Sequence, residues 1–184
     1  ELYHNNRDGT FTECAKKCGV DAGKFVKGVT AGDYNNDGRP DLYLSCLDSF
    51  NILLRNDGPG AEEGAWKFTN TTAEAGVREP KVSFPTWFWD YDNDGWLDLF
   101  VSGYPKNDTA AVVADYLGES HYGECARLYR NKRDGTFEDV TVRAKLLKPL
   151  LSMGVNFGDV DNDGWLDFYI GTGTPDYTAF TPNR

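Results

Sequence analysis

Short apolar runs separated by clusters of Asp, Asn and Gly dominate the chain, and Ala- and Leu-rich helical stretches are scarce. Runs of this kind read as β-strands joined by tight turns. The same order of runs returns three times. A short apolar strand ending in Asn comes first, at 2–5, 53–56 and 128–131. A turn follows. Arg7-Asp8-Gly9-Thr10 and Arg133-Asp134-Gly135-Thr136 are near-identical Asp-Gly hairpin signals, whereas the middle copy makes a longer excursion over 57–65. Next comes a strand around Phe11, Phe68 or Phe137, each 22 residues before Asp33, Asp90 or Asp159. A small-residue turn then leads to an inner strand pair: 29–34 with 42–45, 83–91 with 99–102, and 153–160 with 168–171.

Four strands per repeat of about 60 residues predict an all-β fold built of β-propeller blades. As sequence, repeat 1 covers 1–52, repeat 2 covers 53–127 with an insertion at 103–125, and repeat 3 covers 128–184. The phase is circular. The chain opens on the third and fourth strands of one unit and closes after the first and second strands of another. Twelve strands therefore predict two whole blades and two half-blades. Within the insertion, Asp108 reads as the cap of a short helix over 109–117, ended by Gly118.

Between the two inner strands of each repeat lies an acidic nonapeptide. Asp159, Asp161, Asp163 and Asp167 stand at its positions 1, 3, 5 and 9, with Gly164 at 6. Asp90, Asp92, Asp94 and Asp98 repeat the layout around Gly95; Asp33, Asn35, Asp37 and Asp41 repeat it around Gly38. Alternate carboxylates on a tight turn repel one another unless a cation sits among them. Hard oxygen donors with a glycine that permits the turn suit Ca²⁺ better than Mg²⁺, which prefers more waters. The expected ligands are the side chains at positions 1, 3, 5 and 9 and the main-chain carbonyl at position 7: Arg39, Trp96 and Trp165. About three Ca²⁺ sites are expected, the weakest at the Asn35 loop. Unlike an EF-hand, the last acid falls at 9, and the flanks read as strands.

Net charge is −10, from 29 acids and 19 bases. The three loops hold eleven of the acids, so the remaining surface is nearly balanced. No basic stripe suggests nucleic-acid binding, and no segment reads as a transmembrane span or signal peptide. The start at Glu1, inside a strand-like stretch, points to a processed product or an excised piece.

Cys14 and Cys18 read either as small buried residues or as a local disulfide, and Cys46 with Cys125 as a possible staple between repeats. His4 aligns with Arg55 and Arg130 and reads as a strand residue. Trp87 and Trp89 share strand parity, which suits an inter-blade core or, alternatively, a sugar platform. Asn70 and Asn107 open glycosylation sequons.

The loop Asp-Tyr-Asp-Asn-Asp-Gly-Trp-Leu-Asp at 90–98, its two sisters, and the 128–141 stretch resemble the FG-GAP/VCBS repeat family, including the blades of integrin alpha-type propellers; UnbV/ASPIC-type repeats are more similar still. The resemblance implies a propeller of seven or so blades, calcium between the first two strands of a blade, and binding or adhesion rather than catalysis. The expected protein is an extracellular calcium-binding module for adhesion, ligand binding or self-assembly, with a protein or glycan as ligand. The alternative is the propeller part of a secreted polysaccharide-active hydrolase or lyase. Unpaired strand edges at both ends predict a head-to-tail homo-oligomer or filament, or completion within a longer propeller chain.

Overall fold

The computed structural model describes residues 1–60, 66–105 and 109–173. Strands β1 (Tyr3–Asn5) and β2 (Phe11–Glu13) form a hairpin, followed by the short helix α1 (Ala15–Cys18). Strands β3 (Val26–Gly32), β4 (Asp41–Cys46), β5 (Ile52–Pro59) and β6 (Trp66–Asn70) make an antiparallel sheet in sequence order. After α2 (Thr72–Ala75), β7 (Ser83–Trp89), β8 (Asp98–Gly103), β9 (Arg127–Asn131) and β10 (Phe137–Asp139) make a second sheet of the same order. The helix α3 (Thr109–Leu117) lies between β8 and β9, and β11 (Ser152–Gly158) pairs with β12 (Asp167–Thr172) at the end. The described strands thus follow the expected phase: two four-stranded sheets flanked by two two-stranded halves.

Period-2 alternation explains how the sheets stack. In β8, Leu99 and Val101 point to one side and Phe100 to the other, and all six residues of the strand are buried. Leu99 and Val101 join Tyr34, Tyr43, Leu53, Phe88, Tyr129 and Phe137 in a core between the two full sheets. Phe100 joins Trp87, Trp89, Leu128 and Ile170 in a second core against β11 and β12. Full burial of side chains such as Leu99 and Phe100 contributes about 1.5–3 kcal/mol each. Each sheet depends on its neighbours because neither face could be left in water. The first strands of three successive units, β3, β7 and β11, border one cavity of about 250 Å³, lined by Gly28, Thr86, Trp87, Asn156 and Phe157 among others.

Trp87 and Trp89 are 6% and 4% exposed, stacking on or crossing Phe100, Phe157 and Phe168, so they are core residues and present no sugar platform. The four cysteines are buried free thiols rather than disulfides. Cys14 and Cys18 neighbour each other across one helical turn, whereas Cys46 packs with Leu44 and Ile52 and Cys125 bridges to Pro149, so the second pair has different surroundings. Helix α3 spans the expected residues and buries Ala111 and Val112. Its expected cap, Asp108, and the sequon residue Asn107 lie outside the described residues. At the other sequon, Asn70 Oδ1 accepts hydrogen bonds from the Thr72 amide and hydroxyl.

Candidate metal centre

The three acidic loops share one backbone conformation. The asparagine at position 4 and the glycine at position 6 take positive φ in each: 54° and 84° at Asn36 and Gly38, 54° and 83° at Asn93 and Gly95, 59° and 91° at Asn162 and Gly164. Glycine at 6 is the unstrained choice for such an angle, and Asn tolerates it. The path lets backbone N–H groups hold the acids. Position 1 takes two of them: Asp33 accepts from Asp37 and Gly38 at 3.0 and 2.7 Å, and Asp90 from Asp94 and Gly95 at 2.9 and 2.8 Å. Asp159 accepts from Asp163 and Gly164, both at 3.0 Å. Position 9 closes the loop by accepting from position 2: Tyr34 to Asp41 at 3.1 Å, Tyr91 to Asp98 and Val160 to Asp167 at 3.2 Å.

These constraints gather carboxylate oxygens. Asp90, Asp92 and Asp98 each offer an oxygen within 4.8 Å of the others, and so do Asp159, Asp161 and Asp167. Position 5 is not among these trios: Asp37, Asp94 and Asp163 each use Oδ1 to accept the N–H of position 7, from Arg39, Trp96 and Trp165 respectively. The first loop forms no such acidic trio among the described residues. Its Asn35 donates instead to Asp37 at 2.9 Å, and the Arg39 guanidinium pairs with the same carboxylate at 2.5 Å.

The second loop is tied to the outer strands of its own sheet. Asn131, at the end of β9, donates its N–H to Asp98 at 2.7 Å, and its side chain bridges the Leu97 and Tyr34 carbonyls. Asn56 does the same for Asp41 in the first sheet, at 2.7 Å. Arg130 reaches Asp92 at 2.6 Å, and Arg133 reaches Asp94 at 2.8 Å. The sequence marked the recurring Arg-Asn strand end but not this role. Its signal was the return of Asn as the fourth residue of the short apolar strand in all three copies, at 5, 56 and 131.

Asp41 and Asp98 are fully buried. Burial pushes Asp41 up to about 6 and Asp98 up to about 7, against the downward pull of their backbone hydrogen bonds. Desolvation also acts upward on Asp94, but the Arg133 and Trp96 hydrogen bonds hold it below the ordinary range. Asp92 Oδ1 is buried with no hydrogen-bond partner among the described residues. An orphaned carboxylate oxygen beside two further acids is the environment a hard cation satisfies. The donor set therefore fits a divalent ion at the second loop, and the third offers the same positions in a more exposed form.

A family profile for the FG-GAP-like repeat matches residues 1–44 and 90–170. Human cartilage acidic protein 1 is 26% identical over 179 residues, which is 94% of this chain and 24% of that protein. Its mouse counterpart is 25% identical over 94% of this chain and 25% of its own length. The chain thus spans about a quarter of the length of these curated relatives. Among the described residues, no helix is long and apolar enough to cross a membrane. With the four-stranded units and their recurrent acidic loops in view, the profile match over more than half of the sequence settles the family: the chain belongs to the FG-GAP-like repeat family.

Proposed function

We propose that this chain is an extracellular, calcium-stabilised set of propeller blades that serves binding or adhesion rather than catalysis. The observation that carries the calcium reading is the pair of acidic trios, Asp90-Asp92-Asp98 and Asp159-Asp161-Asp167, on loops of one shared conformation. Asp94, Asp163 and the carbonyls of Trp96 and Trp165 stand within the same loops to add oxygen donors. A bound calcium would neutralise charge that otherwise strains the turn. The FG-GAP-like repeat match and the similarity to cartilage acidic protein 1 support the extracellular assignment, and millimolar extracellular calcium would fill even weak sites of this kind. Binding is the favoured role because the buried acids already have structural work: Asp41 and Asp98 fix the outer strands to the loops.

The test is thermal unfolding in millimolar Ca²⁺ and in chelator. At a hundredfold excess over Kd, one site adds about 2.7 kcal/mol. For a chain of this size that raises the melting temperature by roughly 5–10 °C. An unchanged melting curve would sink the calcium reading. Calcium-dependent capture on glycan or matrix-protein arrays, set against turnover assays on polysaccharides, tests the role.

A further inference from the structure

The acidic loops occupy one end of the inner strands, and the opposite end carries a surface of the other sign. Strands β3 and β7 run from that opposite end towards Asp33 and Asp90, and β4 returns to it before β5 begins. Lys24 and Phe25 precede β3, and Lys27 is its second residue. Phe50 lies in the connection between β4 and β5, and Arg78 and Lys81 lie in the segment that enters β7. All six side chains belong to exposed residues.

Direct contacts join them into one patch. Lys24 Nζ donates to the Phe50 carbonyl at 2.9 Å. The Arg78 guanidinium and the Lys81 ammonium both lie over the Phe50 ring, 5.2 and 4.9 Å from its centre. The Lys27 ammonium lies 4.4 Å from the centre of the Phe25 ring and 5.2 Å from that of Phe84. The frame beneath is fixed by main-chain bonds, from Ser49 to the Lys81 carbonyl and from Asn51 to the Arg78 carbonyl, both at 3.0 Å. A ring attracts a cation through its quadrupole and so positions it without neutralising it. Among the described residues none of these four cations is in an ion pair, whereas Arg39, Arg55, Arg130 and Arg133 are each held by an aspartate. Glu124 of the insertion acts on Lys81 through space but forms no ion pair with it.

We propose that this patch, Lys24, Lys27, Arg78 and Lys81 set among Phe25 and Phe50, binds an anionic polysaccharide, a sugar polymer carrying sulfate or uronate groups. The proposal rests on the extracellular binding role above, which sets the polyanions that the chain meets. Ammonium and guanidinium groups make charge-assisted hydrogen bonds to sulfate and carboxylate oxygens. The exposed parts of Phe25 and Phe50 stand between the cations, so charge alternates with apolar surface. An anionic sugar chain alternates in the same way, between charged substituents and the C–H faces of its rings. Nucleic acid fits less well. Single strands bind by stacking bases on aromatic faces, and here the chain's own cations occupy a face of Phe25 and of Phe50. The net charge of −10 opposes a long polyanion at a distance, so the contact is local and weakens with salt.

The test titrates the 184-residue chain with dextran sulfate oligosaccharide, oligogalacturonate, uncharged dextran, a polyglutamate peptide and single-stranded DNA. It is run in Ca²⁺ and in chelator, below the melting temperature, so that the patch is read apart from the acidic loops. One or both anionic saccharides bind, which identifies the preferred group, and uncharged dextran does not. Lys24→Gln, Lys27→Gln, Arg78→Gln and Lys81→Gln together weaken binding by about tenfold or more, since each exposed charge pair contributes up to about fivefold. Lys24→Arg, Lys27→Arg and Lys81→Arg together keep it. Lys132→Gln with Arg143→Gln, at cations paired with acids elsewhere, leaves it unchanged. If the fourfold variant does not fold, Lys24→Gln with Lys81→Gln replaces it, with an expected loss of about threefold or more. The proposal is overturned if neither anionic saccharide binds, if the Gln variants bind as tightly as the parent, or if the Lys132 and Arg143 variant loses as much. Tighter binding of polyglutamate or DNA overturns it too, and assigns the patch to an acidic protein or to nucleic acid. A ligand captured on glycan or matrix-protein arrays by parent and Gln variant alike removes this surface but keeps the binding role; no capture at all removes the role as well.

Discussion

The second and third acidic loops have the same spacing of four aspartates, the same glycine and the same positive-φ asparagine, yet they sit in different surroundings. Asp98 is fully buried and accepts from Tyr91 below and Asn131 across the sheet; Asp167 is exposed and accepts from Val160 alone among the described residues. Arg130 and Arg133 neutralise Asp92 and Asp94, whereas Asp161 and Asp163 have no described basic partner. An identical motif is therefore pre-organised in one place and loose in the other. The cause is the outer strand pair, β9 and β10, which the second loop has and the third lacks among the described residues.

The largest expected effect comes from cutting the strand tie. Asp98→Ala removes the acceptor for two backbone N–H groups, one of them on a buried residue, and should cost about 2–4 kcal/mol in chelator. Asp167→Ala should cost well under half as much. Equal losses in denaturant titrations would mean that the outer strand does not order the second loop.

Acidity separates the loops next. The folded protein keeps protons on Asp98 and Asp41 up to about 7 and 6, whereas the unfolded chain releases them near 3.8. The folded state binds more protons between those values, so this contribution is full below about pH 3.8 and is lost as pH rises towards 7. Asp57 and Asp94, held below the ordinary range, act in the opposite sense. Asp98→Asn isolates the Asp98 part: without calcium, the parent should lose more stability than the variant between pH 4 and 7. Calcium should shrink that difference by favouring the charged carboxylate. Parallel pH profiles in chelator would refute the assignment.

The smallest effect concerns competition. Arg130 serves as the second loop's internal cation, and removing it should destabilise the metal-free protein by about 1 kcal/mol or less, since the pair is partly exposed. The calcium-dependent rise in melting temperature should grow in Arg130→Ala, because a cation then meets an uncompensated Asp92. A smaller rise, seen by calorimetric titration as weaker binding, would show that Arg130 supports the site instead of rivalling the ion.

Local chemistry by itself determined much of this protein. Alternation of small and apolar residues between Asp-Gly turns made the strands legible, because strand period and turn geometry are properties of a few neighbouring residues. Equal spacing from Phe11, Phe68 and Phe137 to the loops made the phase of the repeat legible as well, including the half-units at both ends. The acidic positions were visible for the same reason, since a nonapeptide turn brings its own carboxylates together. Tertiary structure alone decided the rest. Asn131 and Arg130 reach the second loop from more than thirty residues away, and only sheet pairing between β8 and β9 brings them there. Asp98 is shifted by burial beneath neighbouring strands, which its own motif does not encode. The glycines of β3 and β11 look alike in sequence. One pair is locked against Phe84 and Phe88 and the other meets nothing within 4 Å among the described residues, because fit between facing sheets depends on what each strand meets across the joint.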